Sequence, residues 1–234
     1  MQGGNQIDPL ASMDLQMGGK DWKPTPHGRF MGEVLAETDF LKDKEVLELG
    51  AGIGNHTILL LQKEVKHLTA TEILPELLES AKINVERNLP PPLPIDYRVA
   101  DWLDLDGKFD AIVTNPPFCK SGKQNRRYFI DSLILDGHKH LHPNGELVFV
   151  QSSMADLDKT ESRLRENGYE PEILGQQSGP FRDYYFEDAS FMREIQEVPN
   201  GFYVENGVHY ETLSVIRAVL QPFSPPEGAH IFEP

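Results

Sequence analysis

The chain has 234 residues and a mass of 26.4 kDa, the size of one α/β domain, and its 39% hydrophobic content is sufficient for a core. Its 22 lysines and arginines against 37 aspartates and glutamates give a net charge of −15, which opposes a polyanionic partner and favours a basic protein or a small molecule. No apolar run is long enough to span a membrane, the N-terminus has no secretory pattern, and the single cysteine, Cys119, excludes an intramolecular disulfide, so the cytoplasm is the expected location.

One folded domain is expected, with a short segment at either end. Residues 1–20 are rich in glycine and glutamine and are expected to be flexible, as is the proline-rich tail at 222–234. Residues 21–221 are expected to form a single domain that carries an insertion at 176–210, within which lies a hairpin. The sequence contains no internal repeat.

The first strand and helix are joined by a glycine turn. Residues 44–49 are typical of a short buried strand, residues 50–54 have the spacing G-x-G-x-G, and a helical pattern runs over 56–64. Glycines let the chain turn tightly and let a ligand approach the main chain. The spacing differs from the dinucleotide fingerprint, and the carboxylate of Glu48 would repel a pyrophosphate, so a ligand with an ammonium or sulfonium charge suits the turn better.

The next two strands also end in candidate binding residues. A strand at 66–71 ends at Glu72, about 20 residues beyond the glycine turn, where a carboxylate can accept both hydroxyl protons of a ribose. By itself, Glu72 would more often be a solvated charge at the start of the helix predicted for 75–88. A strand at 95–100 ends at Asp101 and Trp102, which offer an acceptor for an exocyclic amine and an aromatic face for a purine, although Trp102 is equally compatible with the core.

The fourth strand, at 109–114, ends in the sequence Asn115-Pro116-Pro117-Phe118. Two consecutive prolines remove two backbone donors and keep the chain extended, which can leave the carbonyl groups of Asn115 and Pro116 facing a cleft. An amide, free carbonyl groups and an aromatic ring are suited to hold a planar N–H₂ group. The alternative is a rigid loop without a ligand, because a four-residue motif is weak evidence alone.

The rest of the chain continues the alternation of strands and helices. Helices are predicted at 125–141 and 154–167, strands at 146–150 and from 170 to 174, and a hairpin on Asn206-Gly207 whose second arm extends to residue 220. Such alternation predicts a mostly parallel sheet with its ligands at the carboxyl ends of the strands. Every motif described above falls at such an end.

These motifs, in this order, resemble class I S-adenosylmethionine-dependent methyltransferases of the group whose fourth strand ends in Asn-Pro-Pro-aromatic, which includes the methyltransferase small domain. The resemblance extends over residues 22–220 and implies a Rossmann-like, doubly wound sheet of seven strands, mostly parallel with an antiparallel last strand. It implies S-adenosylmethionine as cofactor, with the following binding residues: Glu48, Gly50, Ala51, Gly52, Gly54, Asn55, Glu72, Ile73, Asp101, Trp102 and Asn115. It implies the catalytic residues Asn115, Pro116, Pro117 and Phe118.

The expected methyl acceptor is a planar amide or amine nitrogen, with a protein glutamine side chain of a release-factor-like partner favoured and an RNA guanine or adenine amine as the alternative. The group includes release-factor glutamine N5-methyltransferases, ribosomal RNA guanine-N2 methyltransferases and enzymes that act on adenine, and all of their acceptors present a planar N–H₂. The acidic net charge favours a protein, whereas the basic run at 120–127 is either a solvated loop or a phosphate contact. A tyrosine is usual at the position of Phe118 in the glutamine enzymes. A catalytically idle, cofactor-binding partner subunit is the alternative from another functional class.

Several further residues are candidates for substrate recognition or metal binding. The proline-containing lead-in at 22–31 resembles the segment that covers the cofactor in release-factor methyltransferases, with His27 and Gly28 in place of the usual residues. The insertion contains a mostly aromatic group that either recognises the substrate or covers the edge of the sheet. Its members are Phe181, Arg182, Tyr184, Tyr185 and Phe186. No metal is expected at His138, His140 and His142, and Cys119 is assigned no role.

Overall fold

The alternating apolar segments fold into eight strands and six helices in residues 9–16, 25–118 and 126–222, which a computed structural model of the chain describes. The strands are β1 (Glu45–Leu49), β2 (His67–Glu72), β3 (Ile95–Val99), β4 (Phe109–Thr114), β5 (Leu141–Ser152), β6 (Tyr169–Pro180), β7 (Tyr203–Glu205) and β8 (Val208–Leu220). The helices are α1 (Pro26–Ala36), α2 (Asn55–Gln62), α3 (Pro75–Asn88), α4 (Tyr128–Asp136), α5 (Leu157–Glu166) and α6 (Ala189–Glu194). Within these described residues, no helix has the length and apolarity that a membrane crossing requires.

All strands belong to one sheet, in the order β3-β2-β1-β4-β5-β8-β6, and the short β7 pairs with the start of β8. Strands β1 to β5 are parallel to one another, whereas β8 runs antiparallel between β5 and β6. The predicted α/β fold, a Rossmann-like and mostly parallel sheet with an antiparallel last strand, is therefore confirmed. The sheet has eight strands where seven were expected. The additional strand is β7, the first arm of the predicted hairpin.

The core lies on both faces of the sheet, and successive residues of each strand face opposite layers. On one face, Val46 packs in a cluster with residues of α1 and α2, among them Leu35 and Ile58. On the other face, Leu47 packs with α4 and α5 through residues such as Leu133. Because these side chains are almost fully buried, each contributes roughly 1.5–3 kcal/mol of hydrophobic free energy to folding.

Some boundaries differ from the sequence-based expectations. The helix expected at 125–141 ends at Asp136 and tightens into a 3-10 turn at Gly137–His140, and β5 begins at Leu141, where it pairs with Phe109 before a register shift. Strand β6 runs on to Pro180, so residues 176–180, expected at the start of an insertion, pair with β8. The sequence patterns did not predict α1, although Thr25 followed by a proline is a typical helix start.

Part of the N-terminal segment that was expected to be flexible is packed against the domain. Leu10 is buried, and its side chain lies where a Cβ atom on Gly32 of α1 would be in close contact. Asp14 forms an ion pair with Arg87, and the backbone N–H of Gln16 donates to the side chain of Asn84. Residues 9–16 are thus folded onto α1 and α3, because an apolar side chain and polar partners on the helices hold them. The rest of the segment and the tail at 223–234 lie outside the described residues.

Gly54 ends the glycine turn in a left-handed conformation, with φ of +89°, and a Cβ atom there would lie 3.0 Å from the backbone of Ala81 in α3. Gly168 has a similar φ of +82° but open space around its Cα. We expect Gly54→Ala to destabilise the fold by about 1–3 kcal/mol more than Gly168→Ala, because only the former adds a steric conflict to the backbone strain. Urea unfolding of both variants measures the difference. Equal losses of stability would show that the turn does not pack closely on α3.

Candidate active site

The carboxyl ends of the first four strands place the predicted site residues along one edge of the sheet. Leu49, the last residue of β1, pairs with Thr71 on one side and Thr114 on the other. The hydroxyl of Thr114 donates to the carbonyl oxygen of Leu49 at 2.9 Å, and that of Thr71 donates to the carbonyl oxygen of the preceding Glu48 at 3.0 Å. The glycine turn, Glu72 and Asn115 therefore lie next to one another, because each is at the end of a paired strand.

The glycine turn leaves room for a ligand at its first residue. The backbone N–H groups of Gly50 and Ala51 donate to the carbonyl oxygen of Thr71 at 3.0 and 2.9 Å, which fixes the turn against β2. Gly50 has φ of +73°, and a Cβ atom placed there would meet nothing within 4 Å. The conformation thus favours glycine, and its open side lets another molecule approach the main chain.

Glu72 joins the end of β2 to the glycine turn. One oxygen of its carboxylate accepts the backbone N–H of Gly52 at 3.0 Å, and the other accepts the N–H groups of Ile73 at 2.9 Å and Leu74 at 3.4 Å. These bonds fix the carboxylate, while the oxygen bonded to Gly52 retains acceptor capacity for a further donor such as a ribose hydroxyl.

Glu48 is buried beneath the turn rather than exposed to a ligand. Its side chain is 2% exposed, and the hydroxyl of Thr57 in α2 donates to it at 2.6 Å. Burial, opposed by the bond from Thr57 and aided by the negative charge of Glu72, raises the pKa of Glu48 to about 7. The carboxyl group therefore gains or loses its charge near neutral pH.

Three cavities meet at Asn115. The strand-end cavity, of about 220 Å³, is lined by Leu49, Gly50, Thr71, Glu72, Ile73, Ala100, Asp101, Trp102, Asn115, Pro117 and Phe129. The glycine cavity, of about 60 Å³, is lined by Thr25, Gly28, Gly50, Ala51, Gly52, Asn55, His56 and Asn115. The arginine cavity, of about 240 Å³, is lined by Thr25, His27, Asn115, Pro116, Pro117, Phe118, Arg182 and Tyr184. Asn115 is the residue that all three share.

At the strand-end cavity, Asp101 and Trp102 differ in their surroundings. Asp101 is exposed, whereas Trp102 is half-buried and adopts a left-handed backbone conformation, with φ of +51°. The indole N–H donates to the hydroxyl of Ser132 at 2.9 Å, and the ring makes an edge contact with Phe129. Trp102 therefore packs on α4 and also lines the cavity, and its contact with a purine stays a prediction.

The start of α1 lies directly over Asn115, a contact that sequence reasoning missed. A Cβ atom on Gly28 would lie 3.3 Å from the amide nitrogen of Asn115, so this close approach favours glycine. His56 of α2 donates from Nε2 to the carbonyl oxygen of Gly28 at 2.8 Å and ties α1 to the turn. Burial lowers the pKa of His56, which keeps the imidazole neutral in this role. In the sequence, only the helix start at Thr25 and Pro26 could have indicated that a helix lies here.

Two arginines of the basic run have structural partners. Arg127 is buried and bonds to the hydroxyl of Thr160 at 2.7 Å and to Asp131 at 2.8 Å. Arg126 pairs with Glu194 at 2.9 Å and lies over the ring of Phe191. These contacts hold α4 against α5 and α6, and they occupy the two arginines that had been considered for phosphate binding. Residues 120–125 lie outside the described residues.

The aromatic group of the insertion divides into buried and cavity-lining members. Phe181 and Tyr185 are buried with Phe191, so they cover the sheet edge. Arg182 and Tyr184 line the arginine cavity instead. The interpretation as a cover is therefore confirmed for Phe181 and Tyr185, whereas substrate recognition by Arg182 and Tyr184 stays a prediction.

The histidines at 138, 140 and 142 lie in the 3-10 turn after α4 and at the start of β5. Across the described part of the chain, no group of three or more histidine, cysteine, aspartate or glutamate side chains is placed to hold a metal ion. Cys119 lies outside that part.

Comparisons with known proteins bear on what this edge of the sheet does. The family model of the methyltransferase small domain matches residues 28–174. A putative protein N5-glutamine methyltransferase of Methanocaldococcus jannaschii is 28% identical over 159 residues, which cover 61% of this chain and 79% of that protein. Ribosomal RNA small subunit methyltransferase C of Haemophilus influenzae is 31% identical over 155 residues, covering 65% of this chain and 44% of that protein.

One similar solved structure is the 16S rRNA N2 G1207 methyltransferase of T. thermophilus, in complex with AdoMet and guanosine. The match covers 85% of this chain and 44% of that chain, with a TM-score of 0.51 and 21% sequence identity. At that identity the likeness shows a shared fold. The chain spans less than half the length of the Haemophilus and T. thermophilus proteins. The family match nevertheless covers more than half of this chain, and it confirms the expected enzyme class, a methyltransferase. The chain belongs to the methyltransferase small domain family.

Proposed function

We propose that this protein transfers a methyl group from S-adenosylmethionine to the nitrogen of a planar amide or amine, and that the acceptor is the side-chain amide of a protein glutamine. The observation that carries the proposal is the position of Asn115, which lines the two cavities beside the glycine turn and also the arginine cavity. A group at this junction can contact a cofactor on one side and an acceptor on the other.

The residues on the cofactor side fit S-adenosylmethionine. The open space at Gly50 admits a ligand against the main chain, Glu72 has acceptor capacity for ribose hydroxyls, and the exposed Asp101 offers an acceptor for an adenine amine. The buried carboxyl of Glu48 lies beneath the turn and provides a negative charge when it is ionised. When bound, S-adenosylmethionine supplies an electrophilic methyl group on a positively charged sulfur.

Asn115 and Pro116 would hold the acceptor nitrogen. An amide nitrogen is a weak nucleophile because its lone pair is delocalised into the adjoining π-system. If the side-chain oxygen of Asn115 and the carbonyl oxygen of Pro116 each accept one N–H, they fix the nitrogen and favour charge development on it. No strong base is required, since the nitrogen becomes acidic once it is methylated.

Phe118 would fix the plane of the acceptor. Its ring packs at 5.9 Å from His27, 6.2 Å from Tyr185 and 6.1 Å from Phe191, measured between ring centroids, and it lines the arginine cavity. A ring held on several sides presents a fixed surface on which a planar amide or base can stack.

Three observations favour a protein acceptor. The archaeal relative named as a glutamine methyltransferase is matched over most of its length, the chain carries a net charge of −15, and Arg126 and Arg127 are engaged in contacts within the domain. The second candidate is the exocyclic amine of an RNA guanine or adenine, which the match to ribosomal RNA methyltransferase C favours.

Methyl transfer from radiolabelled S-adenosylmethionine tests the proposal, with a peptide-release factor, ribosomal RNA and free nucleosides offered as separate acceptors. Label on a glutamine of the protein is the expected result. Label in RNA alone would reject the glutamine preference, and cofactor binding without transfer to any acceptor would favour the idle partner subunit.

Asn115→Ala is expected to lower kcat by about 100-fold or more, because it removes an acceptor that acts on the developing charge. Cofactor affinity should stay within about twofold of the wild type, since Asn115 is one of many residues lining the cofactor side. Single-turnover kinetics and calorimetry with S-adenosylmethionine measure the two quantities. Asn167→Ala, at the exposed end of α5, is the matched control. Unchanged turnover in the Asn115 variant would exclude the mechanism.

The pKa of about 7 for Glu48 predicts a pH-dependent affinity for the cofactor. A cationic ligand favours the ionised carboxylate, so binding should be tightest above pH 7 and should weaken below it, where a proton must first be released. The affinity for S-adenosylmethionine is expected to fall by about tenfold between pH 8 and pH 6. Calorimetry across this range measures it.

Glu48→Gln should abolish most of this pH dependence, and Glu166→Gln, which alters an exposed glutamate, should preserve it. S-adenosylhomocysteine lacks the sulfonium charge and should show a smaller dependence than S-adenosylmethionine. The same slope in Glu48→Gln as in the wild type would assign the titration to another group.

A further inference from the structure

Arg182 brings a positive charge to the acceptor side of the site. It follows β6 by two residues and lines the arginine cavity together with Asn115 and Pro116. Its guanidinium group lies over the ring of Tyr184, with 5.7 Å from Cζ to the ring centroid, and donates to the phenol oxygen of Tyr184 at 2.8 Å. The guanidinium group therefore offers hydrogen-bond donors on one wall of the cavity, while Asn115 and Pro116 offer hydrogen-bond acceptors on another.

His27 orients this guanidinium group. Nη2 of Arg182 donates to Nδ1 of His27 at 2.6 Å, and since a guanidinium only donates, Nδ1 is the acceptor and the proton of the neutral ring is on Nε2. Burial, aided by the charge of Arg182, lowers the pKa of His27 to about 3. The imidazole is therefore neutral across the working range of pH, which makes it a fixed acceptor and not a base.

Glu211 of β8 lies behind His27. It is 3% exposed, and its Oε2 is 3.9 Å from Nε2 of His27, while the hydroxyl of Tyr185 donates to Oε1 at 3.4 Å. Burial raises the pKa of Glu211, and the charge of Arg182 opposes that shift. Arg182, His27 and Glu211 thus form a row that begins at the cavity wall and ends in the protein interior.

The order of donors and acceptors in the cavity matches a carboxamide. A primary carboxamide has an N–H₂ group, which Asn115 and Pro116 would accept, and on the same carbon an oxygen that needs a donor. We propose that Arg182 donates to this oxygen and so determines specificity for a carboxamide acceptor, and that His27 is a positioning residue for its guanidinium group. This inference rests on the proposed function, because it assumes that Asn115 holds the N–H₂ group.

Guanine presents a different pattern, whereas adenine presents a similar one. The guanine N2 amine is flanked on one side by N1–H, a donor that opposes a guanidinium group, and on the other by a ring acceptor. The adenine N6 amine is flanked by ring nitrogens that could accept from Arg182 in place of the carboxamide oxygen. Binding of adenosine or guanosine in a manner that depends on Arg182 would therefore contradict a carboxamide site.

The experiment measures binding by NMR titration on the full chain saturated with S-adenosylhomocysteine, so it does not require turnover. The probes are N-acetyl-glutamine methylamide and the matched γ-methyl ester of capped glutamate, which keeps the carbonyl oxygen but has no N–H₂. Arg182→Met should weaken both probes by about tenfold or more, because each loses a charge-assisted hydrogen bond. Asn115→Ala should weaken only the carboxamide.

Control variants separate recognition from folding and from net charge. Arg193→Met removes an exposed arginine from α6 in the same segment and should leave both affinities unchanged. Arg182→Lys keeps the charge but cannot contact both partners, and it should fall between the wild type and Arg182→Met. Unaltered affinity for S-adenosylhomocysteine in each variant verifies that the cofactor side is intact.

A pair of substitutions tests the positioning role of His27. His27→Asn keeps an acceptor near the place of Nδ1 and should retain most of the affinity for both probes, whereas His27→Leu should resemble Arg182→Met. Equal losses in the two variants would show that the ring only fills space.

The outcomes distinguish this inference from the proposed function. Loss of ester and carboxamide binding in Arg182→Met supports the inference. Carboxamide binding that depends on Asn115 but not on Arg182 overturns the inference and leaves the proposed function in place. Failure of the wild type to bind the carboxamide, or tighter binding of adenosine or guanosine that depends on Arg182, overturns both.

Discussion

The register of β1 between β2 and β4 is the constraint on which the site depends. Leu49 pairs with Thr71 and with Thr114, so the residues that follow these three strand ends start side by side. The register is strongly specified because both faces of β1 are buried, Val46 on one and Leu47 on the other. A slip of one residue would exchange these faces and would also break the hydroxyl-to-carbonyl bonds of the two threonines.

Local motifs could be predicted from the sequence, whereas contacts between distant segments could not. The limits of α3 and β4 agree with their patterns, since a proline starts the helix and a continuous apolar run marks the buried strand. The contact of Asn115 with Gly28 and the burial of Glu48 depend on how α1 and α2 pack on the sheet. A glutamate before a glycine turn has the same local sequence whether it is open or enclosed, so its pKa near neutrality becomes apparent only in the folded structure.

Strand β6 shows why a local pattern fails at the edge of a sheet. Residues 176–180 are polar or are glycine and proline, a composition typical of a loop, yet they pair with β8 from Ser214 to Tyr210. Because β6 is the edge strand, one of its sides needs no partner, and a proline at its end is tolerated. This extension carries the chain along β8 and places Arg182 against His27. The position of Arg182 in the wall of the arginine cavity thus depends on strand pairing that the local sequence does not predict.

Charge is divided between the two sides of Asn115. Glu48, Glu72 and Asp101 lie toward the glycine turn and the strand-end cavity, while Arg182 lies in the wall of the arginine cavity. Carboxylates favour a cationic cofactor, and a guanidinium group disfavours one, so the same cation would be repelled from the acceptor side. Under the proposed function, a neutral carboxamide would carry no such penalty, because its oxygen would accept from Arg182 while its nitrogen faced Asn115. In the proposed reaction, this division of charge would favour the cationic cofactor on the side of the glycine turn and the neutral methyl acceptor on the side of Arg182.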